Sequence, residues 1–216
     1  MHTILRNSLT LLATLILSST VLAETPESLI LPVQTKWAEI KYETPEKQQA
    51  EQYQALAQQS RKIVESNPGV AEALIWDGIV ISSEAGARGG LGALSLAKEA
   101  RQRLDDALKI NDKALNGSAY TSLATLYAKV PGWPVGFGDK DKAEAYFKKS
   151  LAINPDGIDP NFFYGEYLID RNRTAEARPY LEAALKAPPR PGRELADSGR
   201  RKETQALLDK LNKDAK

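Results

Sequence analysis

The strongest constraint on this chain is a repeat of 34 residues. Ala143 returns as Ala177 and Pro155 returns as Pro189, each at that spacing. Within each unit the apolar residues recur at three and four, the period of an amphipathic helix. The first helix of a unit holds a small residue between larger ones: Leu123, Ala124 and Tyr127, then Tyr164, Gly165 and Leu168. The second helix holds Ala143, Phe147, Ser150 and Leu151, then Ala177, Leu181, Ala184 and Leu185. Asn154-Pro155 ends the former, because proline lacks the N–H that would extend the helix and restricts the residue before it. An upstream copy puts Gly78 at the small position and Ala100, Leu104, Ala107 and Leu108 in the second helix, with Asp112 replacing the closing proline. A period of this length means helical hairpins that bury their apolar faces only by stacking on neighbours.

The pattern of large, small and large apolar residues, then Ala, aromatic, Ala and Pro, resembles a tetratricopeptide repeat. The resemblance covers about residues 46–212 and implies an all-α fold. The expected architecture is a tetratricopeptide-like helical solenoid of about three and a half helix-turn-helix repeats plus a C-terminal capping helix, spanning 46–216. The run from Glu46 to Asn67, with Tyr53, Leu56, Ala57, Ser60, Ile63 and Val64, reads as the second helix of a degenerate leading repeat. The last helix, from about Glu194 to Asn212, carries a charged outer face suited to a terminal cap. Residues 24–45, interrupted by Pro26, Pro32 and Pro45, read as an extended linker, with Leu29, Ile30 and Leu31 as an apolar patch against the fold. The small residues Gly78, Ala124 and Gly165 read as packing positions, where close helix approach offsets the ~1 kcal/mol cost of a helical glycine.

Two units depart from the period. From the small residue of the first helix to the alanine of the second there are 12 positions in the third unit, 19 in the second and 22 in the first. The extra residues fall at one topological place. One insertion, Ser82–Ala93, is glycine-rich and carries Arg88, Gly89 and Gly90. It lacks the Gly-Lys-Ser/Thr ending of a phosphate loop and follows a helix rather than a strand, so it points away from nucleotides. The glycines let main-chain amides and one guanidinium approach an anion or a partner's carboxylate; a plain connector is the competing reading. The other insertion, Val130–Asp139, contains Pro131, Trp133, Pro134 and Phe137. Its rings either staple the loop to the repeats or form a binding surface, and Asp139 is expected to cap the following helix. Because the turns of stacked hairpins share one edge, the insertions are expected to touch and to form a composite site. Arg88 stacked on Trp133 is the structural alternative.

Composition narrows the function. The chain of 216 residues carries a formal net charge of +1, with 26% charged and 42% hydrophobic residues, so no basic excess points to nucleic acid. His2 and Arg6 precede an apolar run from Leu9 to Leu17, and Val21-Leu22-Ala23 precedes Glu24. This reads as a signal peptide over residues 1–23, cut after Ala23, against an uncleaved anchor helix for which the run is short. Cleavage leaves no stable membrane span, and the absence of cysteine excludes both a lipid-modified cysteine and a disulfide framework. A periplasmic location fits. The mature chain would contain neither His nor Cys, which removes histidine triads, thiol nucleophiles and ordinary zinc sites. No cofactor is expected.

By the tetratricopeptide resemblance, the first helices line a concave groove. The residues this implies are Glu72, Ile75, Ile79 and Ser83, then Ser118, Thr121 and Thr125, then Asp159, Phe162 and Glu166. Arg190, Arg193, Arg200 and Arg201 form a basic stretch at the C-terminal cap, which reads more simply as a solvated face. The long motifs N-G-S-A-Y-T-S-L, V-P-G-W-P-V-G-F-G-D, I-N-P-D-G-I-D-P-N-F-F-Y-G-E-Y-L and A-P-P-R-P-G-R, with G-G-L at Gly90, resemble the helical-repeat T component associated with tripartite (TRAP) periplasmic transporters. That resemblance implies a secreted protein that forms homo-oligomers and docks a periplasmic solute-binding protein. Three functions therefore stand: a non-catalytic protein-interaction module first; a binder of a small apolar or anionic ligand between groove and insertions second. Last comes a carboxylate-dependent hydrolase using Glu84, Glu166 and Asp170, which form no recognised motif.

Overall fold

The computed structural model describes residues 25–214, so the expected signal peptide lies outside the described residues. Among them the structure is an all-α, repeat-like solenoid. The helices are α1 (Pro26–Glu43), α2 (Glu46–Ser66), α3 (Ala71–Arg88), α4 (Gly90–Ile110) and α5 (Ser118–Lys129). They continue as α6 (Lys140–Ile153), α7 (Ile158–Asp170), α8 (Thr174–Lys186) and α9 (Glu194–Asp214). A short 3-10 turn, Ala114–Gly117, leads into α5. No described helix is long and apolar enough to cross a membrane.

The hairpins α3/α4, α5/α6 and α7/α8 stand where the repeat places them. Their small positions act by contact. A Cβ added at Gly78 would lie 2.8 Å from Leu104 Cγ, and one at Gly165 would lie 2.7 Å from Leu181 Cδ2. Leu104 and Leu181 are both fully buried, so the absent side chain lets α3 seat on α4 and α7 on α8. Ala124, also fully buried, plays this part in α5. Between units, Phe147 of α6 packs on Tyr164 and Tyr167 of α7 at ring separations of 5.6 and 5.4 Å.

The expected extended linker is instead α1. Pro26 stands at the helix start, where its missing N–H costs nothing, and the Thr25 side chain accepts from the Ser28 amide. Pro32 lies inside the helix and is tolerated there because α1 is held by its packing. Ile30, Val33, Trp37 and Ile40 recur at three and four residues and are all buried. The Trp37 indole donates to Ser83 Oγ at 2.8 Å and meets Trp76 edge-on, with ring centroids 6.0 Å apart. With α2, helix α1 completes a fourth hairpin.

This helix also reaches the far end of the chain. Tyr42 Oη donates to Glu203 of α9 at 3.2 Å, and Lys41 pairs with the same carboxylate at 3.3 Å. The ring of Tyr42 lies against Gly199, where any side chain would overlap it. First and last helices thereby meet, and the concave face between them becomes an inward-facing cleft.

Candidate functional site

The cleft has a volume of about 1020 Å³ and takes residues from every hairpin. Helix α3 contributes Trp76, Ile79, Ser82 and Ser83; α5 contributes Ser118, Thr121, Ser122, Thr125 and Lys129; α7 contributes Asp159, Phe163 and Glu166. Each set follows three-and-four spacing, so one stripe of each helix faces inward. Most of the expected groove residues are therefore found there, including Ile79, Thr121, Thr125 and Glu166. Glu72 is not, and neither are Ile75 and Phe162. The last two are buried in the core, Phe162 beneath the Arg200 guanidinium at 4.4 Å. Their neighbours Trp76 and Phe163 line the cleft in their place, while Ile79 and Ser83 on α3 and Asp159 and Glu166 on α7 keep the expected phase.

The Ser82–Ala93 insertion is helical rather than a loop. It lengthens α3 and α4, and only Gly89 and Gly90 take positive φ, of 63° and 65°, at the corner. Glu84 and Ala85 are buried, and their packing carries the helix through Gly86. Arg88, Gly89 and Gly90 are exposed. Arg88 Nε lies 2.9 Å from the buried Glu84 carboxylate, one turn back, and not on Trp133.

Residues 130–139 form a compact loop. Gly138 N donates to Pro131 O at 2.9 Å and Asp139 N to Tyr127 O at 3.0 Å. Asp139 caps α6, accepting from the Lys142 amide at 3.0 Å. Phe137 is half-buried, edge-on to Tyr127 at 5.5 Å, with the Arg101 guanidinium 4.4 Å from its ring. It is a staple, and the cation over an aromatic ring belongs to Arg101 and Phe137. Trp133 points away from the protein and is 90% exposed.

The 130–139 loop meets α4 one residue beyond the first insertion. A Cβ at Gly136 would lie 3.3 Å from Leu94 at the start of α4. Together they wall one part of the cleft with Ala93, Leu94, Ala97, Val130, Pro131 and Val135. Arg88, Trp133, Phe137 and Asp139 are outside that wall. The composite surface is therefore aliphatic and turned inward, not cationic and aromatic on the rim.

Another part of the cleft is charged. Asp159 accepts from Arg190 at 2.7 Å and from Arg200 at 2.9 Å, and Arg190 also holds Asp197 at 2.6 Å. Burial pushes the Asp159 carboxyl up, but the two guanidinium groups outweigh it and hold it below the usual carboxylate range. Glu166 is tied to Lys129 at 3.3 Å. Arg193 lies with its guanidinium 4.8 Å from the Trp76 ring centroid, and both residues line the cleft. The sequence presents this cluster as a solvated basic stretch; the partners that bury it, in α1 and α7, are more than twenty residues distant in the chain and carry no local signal. Among the described residues no group of acidic or histidine side chains is arranged to hold a metal ion.

Comparison with protein-family models and with curated proteins finds no match to this chain.

Proposed function

We propose that this is a non-catalytic binding protein that holds an elongated, mainly apolar molecule in the closed groove. The observation that carries this reading is the cleft itself: about 1020 Å³, a volume in the upper range of small-molecule sites. Its aliphatic wall, built by both insertions, supplies burial, and its hydroxyl-bearing α5 stripe and charged end supply a few placed polar groups. That combination is the ordinary make-up of a ligand pocket. The carboxylates Asp159 and Glu166 of the cleft are each engaged by cations, which favours a binding role over catalysis by a free general acid or base. Native mass spectrometry of protein isolated without detergent tests the reading. Retention of a small apolar ligand, lost on Ala97→Trp substitution in the cleft wall, supports it; apoprotein that also takes up no amphiphile refutes it.

A second reading is docking onto a protein partner, favoured by Trp133. A tryptophan 90% exposed on a loop pinned by its own hydrogen bonds is a rigid apolar anchor of the kind that dominates interface energies. The resemblance of the surrounding motif to the TRAP-associated T component makes a periplasmic solute-binding protein the partner to try. It also supports a secreted location. Pull-down with wild-type and Trp133→Ala protein decides it, with loss of capture on substitution as the supporting result.

A further inference from the structure

We propose that Arg193 is the head-group site of this cleft and that it selects a ligand carrying a single carboxylate. The inference rests on the binding reading above and adds the chemical class of the ligand. It begins with an imbalance. Lys41, Arg190 and Arg200 are each paired with Asp159, Asp197 or Glu203 at 3.3 Å or less. Arg193 is the fourth cation in this group, and among the described residues it makes no ion pair and no side-chain hydrogen bond. Its Nε is buried without a partner. Asp159 and Asp197 act on it only at a distance, being already held by Arg190. Glu46 and Asp156 also line the cleft, and neither pairs with it.

A guanidinium in this position is costly to keep. Burial lowers the affinity of Arg193 for its proton, and the neighbouring Arg190 lowers it further, to a pKa of about 10. It remains charged at neutral pH. The Trp76 ring stabilises the cation from one side, leaving its hydrogen-bonding edge for another group. Guanidinium matches a carboxylate bidentately, with charge-assisted bonds about twice as strong as neutral ones. The surplus in this cluster is one positive charge, which fits a monoanion. A phosphate dianion would exceed it and compete with Asp159 for Arg190 and Arg200. The aliphatic wall of Leu94, Val130 and Val135 lies in the same cleft, so the fitting molecule is a carboxylate with an apolar body.

The test is calorimetric titration of the full-length protein with decanoate, the neutral decanol and the cationic decylammonium. Wild type should bind decanoate about tenfold or more tighter than decanol, the discrimination expected of a charge-assisted pair, and decylammonium weakest. Arg193→Gln should lose most of the preference for decanoate over decanol, and Arg193→Lys should keep part of it. Equal binding of decanoate and decanol by wild type overturns the head-group site but leaves the apolar groove standing. A preference that survives Arg193→Gln overturns the assignment to Arg193. Binding of neither molecule overturns the groove reading and this inference together. Because Arg193 makes no ion pair and its protein contact is the face of Trp76, thermal melts of its variants run alongside the titrations separate lost selectivity from lost folding.

Discussion

Tyr42 of α1 lies flat against the bare backbone of Gly199 in α9, joining residues that are 157 positions apart. Only glycine permits this approach, since any Cβ would enter the ring. Gly199→Val should therefore part α1 from α9 and leave the hairpins stacked. The expected result is a helical content near wild type, an increased radius of gyration in small-angle scattering, and faster hydrogen exchange in α1. An unchanged radius would show that the closure does not depend on this contact.

Arg88 has a structural task. Its partner Glu84 is buried, with 4% of its side chain exposed. Arg88→Ala strands that carboxylate and should cost about 1–2 kcal/mol, less than a fully buried pair because Arg88 itself is partly solvated. Glu84→Gln in the same chain should recover most of the loss. A double-mutant cycle in urea measures it; independent, additive effects of the two substitutions would refute the pairing.

The two aromatics of the 130–139 loop should behave oppositely. Phe137→Ala removes a ring from Tyr127 and Arg101 and should destabilise by about 1–3 kcal/mol. Trp133→Ala, at a side chain in solvent, should stay within ~0.5 kcal/mol of wild type. Thermal melts of both variants settle the distinction, and equal losses would place Trp133 in the fold rather than on a surface.

In α7, Gly165→Leu drives a side chain into Leu181 and should cost at least ~2 kcal/mol by overpacking. Chemical denaturation reads this directly. A midpoint within error of wild type would mean that the α7/α8 contact is looser than described.

Acid should weaken the fold through Glu144. Hydrogen bonding to Lys148, then to Arg173, holds its carboxyl at about 2, below the ordinary 4.5. A depressed folded-state pKa contributes stability that is present above about 4.5 and is lost as pH falls towards about 2. Asp159, held low by Arg190 and Arg200, acts in the same direction, while the raised Asp77, buried beside Ser60, acts in the opposite one. The melting temperature of wild type should exceed that of Glu144→Gln near neutral pH and converge with it near pH 2. A difference that stays constant with pH would refute the assignment.

The hairpins were legible in the sequence because their determinants are local. Gly78, Gly165 and the alanines opposite them recur at helical spacing, and a small residue between large ones specifies close packing wherever the chain turns back on itself. The capping role of Asp139 was legible for the same reason, its partner being three residues away. Helix α1 was missed because Pro26 and Pro32 outweighed the Ile30, Val33, Trp37 and Ile40 period in a reading that treats proline as a boundary. Burial of that stripe against α3 and α9 reverses the balance, and no local pattern contains it.

The cleft was decided only by tertiary structure. Repeat spacing determined which helices would offer an inner stripe and where the insertions would fall along the edge. It could not determine that Arg88 turns back to Glu84, or that Trp133 stands clear of the cleft while Val135 borders it. Nor could it separate Arg190 and Arg200, which are paired, from Arg193, which is not. Stacking energies are set between neighbours and are written in the chain every 34 residues. Charge pairing across the closed groove depends on which side chains the accumulated turn of the solenoid brings face to face, a sum over the whole chain that no single repeat encodes.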